Sequence, residues 1–253
     1  MFLLHGAAGT GKSAITHTIG MKLKDLNYFG AFFAFKWNLA ADPFQAVQAI
    51  AHELGKHIPE FKKALVNILE KDSDILHDPN IEELTGPAKD INQSSPVVII
   101  LDALDEIEEE RRRGFITLLM DKKHDLPNNF YIFVTSRSEQ DIMKHVNKHA
   151  NWLDAMNMDK LDETTEDISK YVLGYITKEE KVEEIKEAQC KHIAEKAGNY
   201  FQWAATGCRE LCDKKGGVDP NYLFDQLMEL APKNEHKYLL DEMYKLIQSA
   251  QKL

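Results

Sequence analysis

Cysteine is scarce in this 253-residue sequence, and its few cysteines are not spaced as a metal site requires. Cys190, Cys208 and Cys212 form no paired Cys-x-x-Cys motif, which excludes the usual zinc-binding patterns. Cys208 and Cys212 are one helical turn apart inside an apolar run. We therefore predict that all three are reduced thiols in a core.

Long apolar segments are also absent. The longest runs, such as residues 96–101, are far shorter than the ~20 residues that a helix needs to cross a bilayer. Residues 1–4 lack the charged start and the apolar length of a signal peptide. These absences predict a cytoplasmic protein with no membrane partner.

Basic residues are too few to balance the acidic ones. The 31 lysines and arginines stand against 41 aspartates and glutamates, which gives a formal net charge of −10. Because this charge would repel a phosphate backbone, we expect no nucleic-acid partner, and any bound anion must be held by local groups. The ten histidines show no His-Glu-x-x-His or other metal spacing.

The sequence does contain an alternation of strand and helix patterns as far as about residue 160, followed by helical periodicity. Apolar runs predict five strands, at residues 2–5, 29–37, 97–101, 130–135 and 153–158. Strands separated by helix-length segments require parallel crossovers, so we predict an α/β fold with helices on both faces of a parallel sheet. We expect one domain at residues 1–160 and an all-α domain at residues 161–253.

Helices are predicted between and after these strands. An apolar stripe at residues 15, 19, 23 and 26 follows the first strand, and Asp42 and Pro43 are typical of a cap and a first helical position. Residues 71–95 have a weak pattern, typical of short helical pieces and loop. In the second domain we predict helices around residues 164–176, 182–197, 199–213, 221–230 and 235–250.

A glycine-rich loop lies between the first strand and the first helix. Residues 6–13, GAAGTGKS, satisfy the pattern GxxxxGK[ST]. Glycines let main-chain amides wrap a phosphate chain, while Lys12 would reach its outer phosphates and the Ser13 hydroxyl would bind Mg²⁺. The alternative is an ordinary glycine-rich turn before a helix. The predicted nucleotide-binding residues are Gly6, Gly9, Thr10, Gly11, Lys12, Ser13 and Ala14.

A second motif, which is rich in acidic residues, follows the strand at residues 97–101. Asp102 would emerge at the carboxyl edge of the sheet and hold the hydrated Mg²⁺, unless it only caps a helix. Asp105 and Glu106 lie just beyond it. Either acid would orient or deprotonate an attacking water, and the sequence does not select between them.

The sequence Thr-Ser-Arg at residues 135–137 ends the next strand. Arg137 would sense the outermost phosphate and stabilise charge as that phosphate leaves. The alternative is a surface arginine that pairs with Glu139 or Asp141.

Two further motifs do not support a separate site. Residues 108–113, EEERRR, contain two i,i+4 pairs of opposite charge, Glu108 with Arg112 and Glu109 with Arg113, which predict a solvated helix face. Residues 147–150 begin like the guanine-reading motif of GTPases but lack its aspartate. A preference for GTP is therefore not supported.

These motifs together resemble the NACHT class of STAND nucleotide-binding proteins, especially the NACHT modules abundant in fungi. The sequence DALDE at 102–106 is similar to that family's acidic signature, with Ala103 where most other P-loop ATPases have a glutamate. The sequence at 135–137 resembles the family's sensor segment. The sequences WAATGCREL at 203–211 and LDEMYKLI at 240–247 are similar to its following helical part.

The resemblance implies an ASCE/AAA-like P-loop NTPase fold and an NLR-like switch that holds ADP at rest and self-associates when it holds ATP. It also implies a place between an effector domain and a repeat array in a longer parent protein. Family members carry sequence before the first strand, so we expect that strand to be truncated at Met1. We expect the truncation to affect base selection more than phosphate binding.

The combined hypothesis is a Mg²⁺-dependent signalling module that binds ATP or ADP and hydrolyses ATP slowly. The first alternative is a scaffold that holds nucleotide without turnover. The second is a P-loop small-molecule kinase, which would need basic residues in a lid, whereas residues 179–187 are mostly acidic.

Overall fold

The structure is a computed structural model that describes residues 1–37, 43–71, 82–89, 91, 95–122, 125–161, 164–178, 185, 187–212, 219–230, 242, 243 and 245. The chain divides into two compact units, of which the first contains residues 1–6 and 12–157 and the second contains residues 7–11 and 158–253. Asp42, most of residues 71–95 and most of residues 235–250 lie outside the described residues, so the predictions made for them stay predictions. The domain limits 1–160 and 161–253 also stay predictions.

Within the described part of the first unit, five parallel strands form one sheet of order β2-β3-β4-β1-β5. The strands are β1 (Phe2–His5), β2 (Phe29–Ala34), β3 (Val97–Asp102), β4 (Phe130–Ser136) and β5 (Asp154–Asn157). His5 lies opposite Ser136, and Leu101 lies opposite Val134, so β1, β4 and β3 end nearly level. Because the strands are parallel, the residues that follow them meet at one edge of the sheet.

Helices connect these strands, as the alternating pattern predicts. They are α1 (Lys12–Asp25), α2 (Pro43–His57), α3 (Pro59–Lys71), α4 (Glu82–Lys89), α5 (Glu109–Lys122) and α6 (Gln140–Lys148). Prolines occupy the first positions of α2 and α3, where the missing N–H would have no partner inside the helix. The parallel α/β fold predicted from the sequence is confirmed.

The first helix packs differently from the prediction. The stripe at residues 15, 19 and 23 is only half-buried, and Leu26 is 58% exposed. The buried residues of α1 are instead Thr16 and Gly20. A Cβ on Gly20 would lie 3.6 Å from Ile100 Cδ1, so a small residue at this position lets α1 approach β3 closely.

The core of the first unit lies between the sheet and its helices. Leu54 and Phe61, on α2 and α3, are fully buried, as are Ile100 and Val134 on the two central strands. Strands covered on both faces read as continuous apolar runs rather than alternating ones. This is why the run at residues 97–101 predicts β3 correctly.

The described part of the second unit is helical, with α7 (Thr164–Lys178), α8 (Glu187–Ala197), α9 (Phe201–Cys212) and α10 (Pro220–Glu229). Its core is a separate apolar cluster that includes Ile168, Ile193, Trp203 and Leu227. The three cysteines are buried and unbridged, as predicted, and burial raises the pKa of Cys208 to about 12. None of the described helices has the length and apolar character of a membrane span.

Candidate functional site

Three glycines of the glycine-rich loop have backbone conformations that favour glycine. The φ angles of Gly6, Gly9 and Gly11 are 154°, 81° and 95°, values that residues with a Cβ rarely adopt. In the first unit, Lys12 Nζ donates a hydrogen bond to the Gly6 carbonyl at 2.8 Å. Lys12 begins α1 and Ser13 follows it, exposed, so both residues lie at the positive end of the helix.

Asp102 ends β3 and is 6% exposed. The Thr135 hydroxyl donates a hydrogen bond to Asp102 Oδ1 and accepts one from the Ala103 amide at 3.0 Å. The Thr16 hydroxyl lies 3.4 Å from the same Oδ1 and 2.8 Å from the Lys12 carbonyl. Asp102 is therefore held next to the first turns of α1, and its role in binding Mg²⁺ stays a prediction.

Asp105, Glu106 and Arg137 form one cluster. Asp105 Oδ1 accepts the Arg137 amide at 2.9 Å, and Asp105 Oδ2 lies 3.0 Å from Arg137 Nε. Glu106 Oε1 lies 3.6 Å from an Arg137 terminal nitrogen, and Glu106 Oε2 accepts the Trp37 amide at 3.3 Å. The ion pairs found for Arg137 are with these two acids and not with Glu139 or Asp141, the partners that the surface alternative expected.

The two acids of this cluster differ in exposure. The side chain of Asp105 is 8% exposed and both of its oxygens meet Arg137, whereas the side chain of Glu106 is 29% exposed. Both follow Ala103, whose φ of 60° and ψ of 49° lie in the left-handed region and start a short 3₁₀ turn, Leu104–Glu106.

Arg112 is a buried member of the site that the sequence interpretation missed. The predicted solvated face is wrong at this position, because Arg112 is 6% exposed and binds both carboxylate oxygens of Asp141 at 2.8 and 2.9 Å. The exposed pair of Glu109 with Arg113 is present as predicted. Arg112 lies one turn before Phe115, on the buried face of α5, and this helical spacing was the signal available in the sequence.

The buried pair perturbs both groups. Hydrogen bonding to Asp141 raises the pKa of Arg112. Burial alone would raise the pKa of Asp141, but the hydrogen bonds and charge of Arg112 outweigh it and lower that pKa. Both residues are therefore charged near neutral pH.

Residues 7–11 of the glycine loop belong to the second unit. The Ala7 amide donates to both carboxylate oxygens of Asp159, at 2.9 and 3.1 Å, and the Gln202 amide donates to the Gly9 carbonyl at 3.0 Å. Thr10 is buried, and its hydroxyl donates to the Ala7 carbonyl at 3.1 Å. The sequence interpretation missed Asp159, although an acid directly after the last predicted strand was a visible signal.

These features define a class of protein. A parallel sheet with β4 inserted between β1 and β3, a glycine loop between β1 and α1, and an acid at the end of β3 make a P-loop NTPase fold of the ASCE type. The chain belongs to the family described as Nephrocystin 3, N-terminal, whose family model matches residues 1–137. No curated protein sequence matches the chain.

Solved structures that are similar to this chain include the following three. A RuvB variant from Thermotoga maritima is 12% identical with a TM-score of 0.47, over 92% of this chain and 63% of that chain. Cdc6p from Pyrobaculum aerophilum is 11% identical with a TM-score of 0.48, over 83% and 54%. The ORC2 protein of Aeropyrum pernix, in ADPNP–ADP complexes, is 10% identical with a TM-score of 0.49, over 93% and 63%. This chain spans less than two thirds of the length of each.

Proposed function

We propose that this chain binds ATP or ADP with Mg²⁺ and hydrolyses ATP slowly. The observation that carries the proposal is the group of side chains at the carboxyl edge of the sheet in the first unit. Asp102 lies against the first turns of α1, and the Asp105–Glu106–Arg137 cluster follows β3 and β4 at the same edge. Phosphoryl transfer depends mainly on placing such charges around the phosphates.

Lys12 would bind the outer phosphates once its hydrogen bond to the Gly6 carbonyl is exchanged. The Ser13 hydroxyl and the Asp102 carboxylate are the oxygen ligands that would hold Mg²⁺, which when bound neutralises phosphate charge. Among the described residues, no group of three or more His, Cys, Asp or Glu side chains is arranged to hold a metal ion. The other ligands would therefore come from phosphate and water.

Glu106 is the better assignment for the residue that orients or deprotonates the attacking water. Asp105 already uses both oxygens on Arg137, whereas Glu106 is more exposed and makes a longer ion pair. We assign Asp105 to holding Arg137 in place. Arg137 would then stabilise negative charge on the leaving phosphate.

The finer proposal is a NACHT-type STAND switch for signal transduction in the cytoplasm. It is supported by the DALDE sequence at 102–106 and by the helical unit that follows the P-loop unit. In this proposal residues 1–160 and 161–253 are its two domains. The module would self-associate in the ATP-bound form as part of a longer parent protein.

Thermal unfolding with and without Mg-ATP tests nucleotide binding. Ligand at 100 times its dissociation constant stabilises a protein by about 2.7 kcal/mol. In a chain of this size, that should raise the unfolding midpoint by about 5 to 10 °C. Lys12→Ala should lose most of the rise because the phosphates lose their cation.

Lys22→Ala is the matched control, because Lys22 is exposed on the same helix and far from the loop in sequence. It should keep the full rise in midpoint. Equal rises in wild type and Lys12→Ala would contradict the role of Lys12, and no rise in wild type would contradict nucleotide binding.

A scaffold that holds nucleotide without turnover is the second candidate. The observation that favours it is the pairing of Arg137 with two carboxylates, which already neutralise its charge. Single-turnover hydrolysis separates the candidates, because a scaffold binds ATP but releases no phosphate on the same time scale.

A further inference from the structure

The side chain of Arg112 joins two segments that follow different strands. Its Nε and one terminal nitrogen donate to the Asp141 carboxylate on α6. Its other terminal nitrogen donates to the carbonyls of Asp105 and Ile107, at 3.1 and 2.8 Å. One buried guanidinium therefore binds the backbone of the acidic turn after β3 and the helix that follows β4.

Fold stability alone does not account for this arrangement. Withdrawing two charges from water costs several kcal/mol per ion, and apolar residues of similar volume often stabilise a protein as well or better. Arg112 lies on the same face of α5 as Phe115 and Ile116, where an apolar residue would fit the pattern. What an apolar residue would not provide is donors for the two carbonyls of the turn.

Arg137 contacts the same turn. Asp105 accepts the Arg137 amide through its side chain while its carbonyl accepts from Arg112. Asp141 lies four residues after Arg137 in the sequence. The segments 103–107 and 137–141 are thus connected twice, once through Asp105 with Arg137 and once through Arg112 with Asp141.

We propose that Arg112 is a positioning residue, with Asp141 as its anchor, that fixes the acidic turn so that Glu106 and Arg137 keep their places for hydrolysis. This inference rests on the proposed function. Arg112 itself contacts no reacting group. A displacement of about 1 Å at a reacting group can cost as much as about 100-fold in rate, so its effect should appear in the chemical step.

Arg112→Met is the main test, because methionine fills similar space without charge or donors. Its single-turnover hydrolysis should fall at least about 10-fold, while its dissociation constant for a fluorescent ADP analogue changes less than about threefold. Arg112→Lys keeps the charge but loses the bridging geometry, so its hydrolysis rate should lie between that of wild type and that of Arg112→Met. Arg113→Met changes the exposed neighbour on α5 and should leave both quantities unchanged.

Hydrogen exchange at the Arg137 amide tests the positioning without nucleotide. That amide donates to Asp105, so losing the fixed turn should lower its protection about 10-fold in Arg112→Met. Amides of β3 and β4 should keep theirs. This measurement needs no nucleotide, so it remains valid even if the wild type neither binds nor hydrolyses ATP. Failure to bind or hydrolyse ATP would overturn the proposed function but not the positioning of the turn by Arg112.

The double variant Arg112→Met with Asp141→Leu separates positioning from simple charge burial. Removing both charges should restore the unfolding midpoint that either single change lowers. Under the proposal, neither the hydrolysis rate nor the Arg137 amide protection recovers with it. Recovery of the rate or the protection together with the midpoint would overturn the positioning role, as would unchanged protection in Arg112→Met.

Discussion

Asp105 and Glu106 are adjacent in sequence and share one partner, Arg137, but they meet it in different ways. Asp105 meets Arg137 with both oxygens, whereas Glu106 shares its oxygens between the Trp37 amide and a longer contact with Arg137. Both acids lie in the tight turn that begins after Ala103, whose conformation is left-handed. The sequence places both acids near the site but contains no signal for which one makes the closer contact with the arginine.

At this scale we expect Glu106→Gln to lower single-turnover ATP hydrolysis by about 100-fold or more, since it removes a general base. Asp105→Asn weakens the hold on Arg137 without removing the base, so its loss should be about 10-fold. Rapid mixing with radiolabelled ATP measures both rates.

Glu110→Gln, at an exposed position of α5, is the control and should hydrolyse ATP like wild type. If Glu106→Gln and Asp105→Asn both match wild type, the hydrolysis assignment is wrong and the scaffold candidate is preferred.

The strands show why some elements are easy to predict. β3 is buried along most of its length, so its sequence is an apolar run that ends at Asp102. β4 is also mainly apolar and ends at polar residues, although Tyr131 is exposed. α1 is harder, because its contact with β3 depends on the small residues Thr16 and Gly20 rather than on its apolar stripe. Apolar spacing predicts that a helix forms, but it identifies the packed face only when large residues make the contact.

Two glycines in this unit should respond oppositely to alanine. A Cβ on Gly30 in β2 would lie 2.7 Å from Val97 Cγ1 and 3.1 Å from Leu54 Cδ2, so Gly30→Ala should destabilise the protein by about 1–3 kcal/mol. A Cβ on Gly114 in α5 would meet nothing within 4 Å, so Gly114→Ala should stabilise it by about 1 kcal/mol through helix propensity. Chemical denaturation measures both, and shifts of the same sign would contradict the packing described for β2 or α5.

At the scale of the molecule, the described residues form two separate cores. One lies around the sheet and the other among α7 to α10, and all three cysteines are in the second. Because burial keeps the Cys208 thiol protonated, its reaction with alkylating reagents requires that core to open. Thiol labelling is therefore a reporter of the helical unit.

We expect Leu227→Ala to accelerate labelling of Cys208 at neutral pH, since truncating a buried leucine costs about 2–5 kcal/mol. Leu54→Ala removes an equally buried leucine from the other core and is the matched comparison, with a smaller effect on labelling. Mass spectrometry of the alkylated peptide gives the rates. Equal acceleration by the two changes would mean that the cores open as one cooperative unit.

The sequence by itself determined the parallel α/β fold, the glycine loop and the strand-end acids, because these depend on local spacing and on runs of apolar residues. Only the tertiary structure decided that Arg112 pairs with Asp141, that Arg137 pairs with Asp105, and that Asp159 accepts the Ala7 amide. The physical reason is distance along the chain. Arg112 and Asp141 are 29 positions apart and Ala7 and Asp159 are 152 apart, so the chain fold and not a local pattern selects each partner.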